Sequence, residues 1–164
     1  MRNTFWFGAL AAVAIAGSAL AQTDARSVFQ ARYDTFRGAM AAKDEAAVKA
    51  TVAPGFQLTD IQGGTHDVTG LTTVMGRMPA EMAQSAKTTI IEAAIAGDTA
   101  TVKQELSASI ERTMPGSDKP MKLEMAMVSD DTWVKSGDAW LLKTSVQKDL
   151  TVKRDGEVFI KQSK

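Results

Sequence analysis

The sequence contains no cysteine, a single histidine, His66, and a single tyrosine, Tyr33. Without thiols the chain forms no disulfide, no thiolate metal site, no iron–sulfur cluster and no thiol-based active site. One histidine supplies too few donors for the usual transition-metal sets, so neither a metal nor another cofactor is expected. No G-x-S-x-G, S-x-x-K, phosphate loop or G-x-G-x-x-G occurs. Charge of one sign is also missing: 19 basic residues face 19 acidic ones. No basic stripe with interleaved aromatics appears, which argues against nucleic acid as a partner. Beyond the first twenty-one residues, no run is long and apolar enough to span a membrane.

Those first residues read as an export signal. Arg2 is followed by the apolar stretch Phe5–Leu20, and Ala19-Leu20-Ala21 fits a peptidase site. Cleavage after Ala21 would start the mature protein at Gln22, in the periplasm or outside the cell. Residues 22–164 then make one domain, long enough for a core without disulfides.

Helical spacing comes first in the remainder. Phe29, Tyr33, Phe36 and Met40 are separated by four, three and four, which predicts a helix over Ala25–Ala42 capped by Thr23 or Asp24. A second helix is expected over Asp44–Val52, ended by Pro54-Gly55. Phe56–Ile61 reads as a short strand and Gly63-Gly64 as a turn. Thr69 is a candidate cap for a third helix over Leu71–Met78.

Period-two alternation then predicts a meander. Its strands are Thr88–Ile95, Thr99–Arg112, Met121–Val134 and Ala139–Gln147, with Gly97-Asp98 and Gly137-Asp138 as turns. Val102, Leu106, Trp140 and Leu142 are expected on the inner face. Gln104, Glu105, Ser107, Lys143, Ser145, Gln147 and Lys148 are expected on the outer one. A small hairpin around Asp155-Gly156, at about 149–162, follows, expected either to extend a sheet edge or to mediate pairing between chains. The fold class is α+β: a curved antiparallel sheet wrapped as a cone around N-terminal helices.

At this point the chain resembles the nuclear transport factor 2-like superfamily, which includes polyketide-cyclase-like proteins, ketosteroid isomerase and scytalone dehydratase. The residues that carry the resemblance are Tyr33 with Ala42-Lys43-Asp44, Phe56–Asp60, the helix after Gly70, and Asp131-Thr132-Trp133 through Asp138-Ala139-Trp140. The resemblance implies a cone-shaped α+β barrel around a pocket, and dimers through the outer face of the sheet. It places Asp60 where a general base sits and Asp131 near a late-strand acid. Phe36 stands at the family's tyrosine position, with Tyr33 one turn earlier.

Three functions follow as expectations. The first is binding of a small apolar molecule by Tyr33, Phe36, Met40, Phe56, Met75, Met78, Leu106, Met125, Trp133 and Trp140; flexible methionines suit an adaptable pocket. The second is a cyclase or isomerase with Asp60, Tyr33 and Asp131 as catalytic groups. The third is a homodimeric interaction module. Each candidate also has a plainer reading: Asp60 as a strand end, Asp131 in an exposed acidic run, Tyr33 and the methionines as core. His66 is either a loop residue or a base oriented by Asp67.

Overall fold

The computed structural model describes residues 14–164 apart from 114 and 117, with side chains from residue 24 onward. The expected export signal lies largely outside the described residues. Helix α1 spans Ala14–Ala42, longer than its stripe of aromatics predicts. It runs through Thr23 and Asp24, so neither caps it; the preceding alanine-rich stretch favours helix and offers no stop. α1 ends where Lys43 turns left-handed, at φ 55°. There Asp44 N–H donates to the Ala39 carbonyl at 3.0 Å. Asp44 then caps α2, Glu45–Thr51, by accepting from Ala47 N at 3.0 Å.

Pro54-Gly55 does not follow a helix-ending loop as expected. It lies inside strand β1, Val52–Thr59. Gly55 sits at φ +69°, and the register of β1 shifts between Val52 and Gln57. The glycine therefore bends a strand rather than closing a helix. After β2, Thr65–His66, comes α3, Val68–Arg77, and its cap is Asp67, not Thr69. The Asp67 carboxylate accepts from Gly70 N at 2.9 Å. Pro79 separates α3 from α4, Ala80–Ser85.

The remaining strands are β3 Lys87–Ala96, β4 Thr99–Thr113, β5 Pro120–Ser136, β6 Ala139–Arg154 and β7 Glu157–Ser163. The sheet order is β2-β1-β6-β5-β4-β3, with β1 parallel to β6 and the other pairs antiparallel. The expected break after Gln147 does not occur: β6 is one strand to Arg154. β1 pairs with its first half as far as Val146, and β7 takes over the same edge from Asp149. The terminal hairpin is thus a continuation of the sheet. Its turn has Asp155 at φ 51° and Gly156 at φ 87°, the pair of positive values a type I′ turn needs.

Two irregularities in the β5–β6 pairing decide which side chains face the helices. Trp133 pairs with Leu142 but Thr132 with Thr144, leaving Lys143 as an extra residue. Ser129 pairs with Gln147 but Val128 with Asp149, leaving Lys148 extra. Each bulge reverses the alternation. The inner face of β6 therefore runs Trp140, Leu142, Ser145, Gln147, Leu150, Val152. This corrects the expectation that Ser145 and Gln147 lie outside. Gln104 is corrected likewise: it shares its face with Val102 and Ala108 and is buried. The main core joins Ala25, Phe29 and Tyr33 of α1 to Ala100, Val102, Trp133, Trp140 and Leu142 of the sheet. A smaller cluster under α3 holds Ala39, Val48 and Met75.

Candidate ligand site

Tyr33 lies one helical turn after Phe29, so both rings point from α1 onto the sheet. Tyr33 meets Trp133 edge-on, with ring centroids 5.1 Å apart, and Phe29 touches Trp133 and Trp140 at 5.5 and 5.4 Å. This aromatic packing fixes the position of the hydroxyl. Tyr33 Oη donates to Asp131 Oδ2 in a short bond and accepts from Trp133 Nε1 at 3.2 Å. Asp131 sits on β5, two residues before Trp133 and on the same face. It is not exposed, as one reading of the acidic run had it: only 3% of its surface is accessible.

Burial raises the Asp131 carboxyl to about 6, with Asp130 beside it adding to the rise. The hydrogen bond from Tyr33, and hydroxyls of Ser145 and Ser129, pull in the opposite direction. Burial and the neighbouring carboxylate push the Tyr33 hydroxyl well above its usual range, so it stays a donor. The two serines do not complete a hydrogen bond to the second carboxyl oxygen: Asp131 Oδ1 is buried and has no partner. Gln104 Oε1 is in the same condition, although Gln104 Nε2 donates to Ser129 Oγ at 2.7 Å.

Register explains why these groups cluster. Val102, Asp131 and Ser145 face each other across three strands, and Gln104, Ser129 and Gln147 form the next row. One row further, Leu106, Met127 and Leu150 are half-buried. The inner wall thus passes from a closed aromatic end, through a polar band, to an apolar trough that is partly open. Buried polar side chains on strands are the least expected feature of this sheet.

The expected site residues fall into separate places. Tyr33, Asp131 and Trp133 are brought together. Phe56 and Trp140 pack in the main core, and Met75 in the smaller cluster with Phe36 and Met40 against it. Met78, half-buried, caps the end of α3. Leu106 and Met125 lie on the half-open part of the wall. Asp60 is elsewhere, in the turn after β1. Its Oδ1 accepts from Gln62 N and Gly64 N at 2.9 and 2.8 Å, and its Oδ2 meets His66 Nε2 at 2.8 Å. The hydrogen bond to His66 is the main reason its carboxyl is held below the usual range. His66 therefore pairs with Asp60 and not with Asp67. Gln104, Ser129 and Ser145 are the residues the sequence reading did not place at the site. Ser145 stands opposite Asp131, a register hidden by the bulge at Lys143, whereas Gln104 and Ser129 share the parity of Val102 and Asp131 on strands paired without a bulge, and that alternation was the available signal.

A hollow of about 360 Å³ lies by Ser85, Lys87, Ser107, Ser109, Glu124, Thr151 and Lys153, with Ala108 and Met125 also in its lining. Most of its strand residues have the opposite parity to Asp131, while Ala108 and Met125 share it, so the hollow is not confined to one face of the sheet. Among the described residues, no helix is long and apolar enough to cross a membrane.

No protein-family model and no curated protein matches the chain. Solved structures do. A dehydratase candidate of the NTF2-like family from Streptomyces avermitilis superimposes with a TM-score of 0.58 at 12% identity, over 77% of this chain and 96% of its own. A type 2 hexachlorocyclohexane dehydrochlorinase gives 0.57 at 10% identity, over 89% and 93%. The CaMKII hub of S. rosetta gives 0.51 at 22% identity, over 75% and 95%. With its curved, unclosed sheet packed on N-terminal helices, the chain has the nuclear transport factor 2-like fold.

Proposed function

We propose that this protein is an exported binder of a small, largely apolar molecule, held against the inner wall of the cone with Asp131 as its polar anchor. The observation that carries the reading is the pair of buried acceptors without partners, Asp131 Oδ1 and Gln104 Oε1. Leaving such groups unpaired costs roughly 1–3 kcal/mol each, more when the group is charged. A bound molecule with hydrogen-bond donors would remove that cost. The half-buried Leu106, Met125 and Met127 beside them suit an apolar body. Export rests on Arg2, the apolar stretch Phe5–Leu20 and the Ala19-Leu20-Ala21 site.

The test is native against denaturing mass spectrometry of protein recovered from the cell envelope. The expected result is a chain starting at Gln22 with extra mass that leaves on denaturation. A bare chain, together with no rise in melting temperature across a broad library of apolar molecules, would overturn the binding reading.

A second reading is an enzyme. A carboxyl with a pKa of about 6 is close to the range of a general base at neutral pH, and two of the structural neighbours carry names of eliminating enzymes. In that case Asp131, rather than Asp60, is the base, since both carboxylate oxygens of Asp60 are already occupied in its turn. Turnover of an apolar substrate that survives Asp131→Asn would exclude Asp131 as the base, and no turnover by the wild type would exclude the enzyme reading.

A further inference from the structure

Resting on the binding reading above, we infer that the ligand is a cationic amphiphile: a primary ammonium head against Asp131 and Gln104, with an alkyl chain along the trough formed by Leu106, Met125, Met127 and Leu150. The head is assigned from the chemistry of the unsatisfied atoms. Both orphan atoms are acceptors, a carboxylate oxygen and an amide oxygen, and both belong to residues more than nine-tenths buried. A head that only accepts, such as a carboxylate, a phosphate or a carbonyl, would set lone pairs against lone pairs. A head that donates satisfies both.

Charge narrows the choice further. The groups that face Asp131 are Tyr33 from α1, Val102 and Gln104 from β4, and Ser145 from β6, with Ser129 and Asp130 on its own strand. Among the described residues, no Lys, Arg or His side chain bonds to it, and the charged neighbour that acts on it has the same sign. A buried carboxylate ordinarily has a counter-ion. Here the chain provides none, and an ammonium group would.

The tail is assigned from the wall beyond the polar band. Row by row from Gln104, the inner face changes from buried polar to apolar: half-buried Leu106 with Met127 and Leu150, then buried Ala108 with half-buried Met125 and Val152. At about 3.4 Å per residue, the stretch of β5 from Met127 through Met125 to Leu123 offers roughly 14 Å of half-buried apolar wall. Methionine thioethers on that wall adapt to a chain more readily than branched side chains.

The experiment is calorimetric titration of the intact protein with dodecylamine, dodecanol and dodecanoate, each below its micelle concentration. At about pH 7.5 the amine is charged. It is expected to bind at least tenfold more tightly than the alcohol or the acid. Asp131→Asn is expected to erase that preference, bringing the amine's affinity down to within about threefold of that of dodecanol measured on the same variant. Should that variant not fold, the wild type serves. Its affinity for dodecylamine should fall about tenfold between about pH 7.5 and pH 5, as the carboxyl protonates, with dodecanol unaffected. Dodecanol or dodecanoate binding as well as the amine would overturn the ammonium assignment and leave the binding reading standing. Failure of all three would overturn the amphiphile assignment. The binding reading would fall as well only if envelope-derived protein also carried no ligand.

Discussion

Asp131 is held in a place that disfavours its charge. Its folded pKa of about 6 lies above the value of 3.8 for a free side chain. The group therefore favours the folded state when protonated, and that contribution is lost as pH rises through about 6. A difference of this size corresponds to about 3 kcal/mol at neutral pH. Asp131→Asn, which keeps the shape and removes the charge, should therefore stabilise the protein by about 1–3 kcal/mol at about pH 7.5. The gain should shrink towards about pH 4.5, as read by urea denaturation at both values. Equal stability at both would show that the carboxylate is already neutralised. Tyr33→Phe should act the other way, costing about 1–3 kcal/mol, because Trp133 Nε1 loses its acceptor and Asp131 its donor. It should also raise the Asp131 pKa further, since the Tyr33 bond lowers it. A residue that reduces stability where it stands is more readily explained by a ligand than by the fold.

At the scale of single elements, local chemistry was legible wherever it was self-contained. The stripe from Phe29 to Met40, the glycine turns and the type I′ signal at Asp155-Gly156 all act through neighbours in sequence. The cap of α3 is a closer case, since Asp67 and Thr69 both have capping side chains. The carboxylate of Asp67 makes the bond to Gly70 N, while the Thr69 carbonyl accepts from Thr72 and Thr73. Asp67→Ala should cost about 1 kcal/mol, lowering the melting temperature by about 2–4 °C, with Thr69→Ala near neutral. The reverse order in thermal melts would put the cap at Thr69. The faces of β6 were not legible, because alternation carries no mark of a bulge. Lys143 and Lys148 are ordinary strand-surface residues in sequence, yet each shifts all that follows to the other face. Lys143 Nζ then donates to the Pro54 carbonyl at 2.6 Å, a bond across strands that no local pattern announces. Thus Tyr33 and Asp131 could be named from sequence, and Gln104 and Ser129 share the alternation of Val102 and Asp131, whereas Ser145 needed the register.

For the whole molecule, the α+β cone follows from helices covering one end of a long bent sheet and leaving the other half-open. The opposite face of that sheet is the one through which the family resemblance of the sequence implies that a second copy docks. Ser107 lies on that face by the hollow at Lys87 and Glu124. If the protein dimerises there, Ser107→Arg should convert it to a monomer in sedimentation velocity, with melting temperature unchanged. Sedimentation as a dimer after the substitution would place the contact elsewhere. The binding proposal stands on the inner wall and on one group. The measurement that tests it most directly is a carbon NMR titration of the Asp131 carboxyl in the ligand-free protein. A midpoint near 6 is expected, as befits a buried carboxylate with one oxygen awaiting a donor. A midpoint in the ordinary carboxylate range, at or below about 4, would mean that the charge is already satisfied, and would contradict the site.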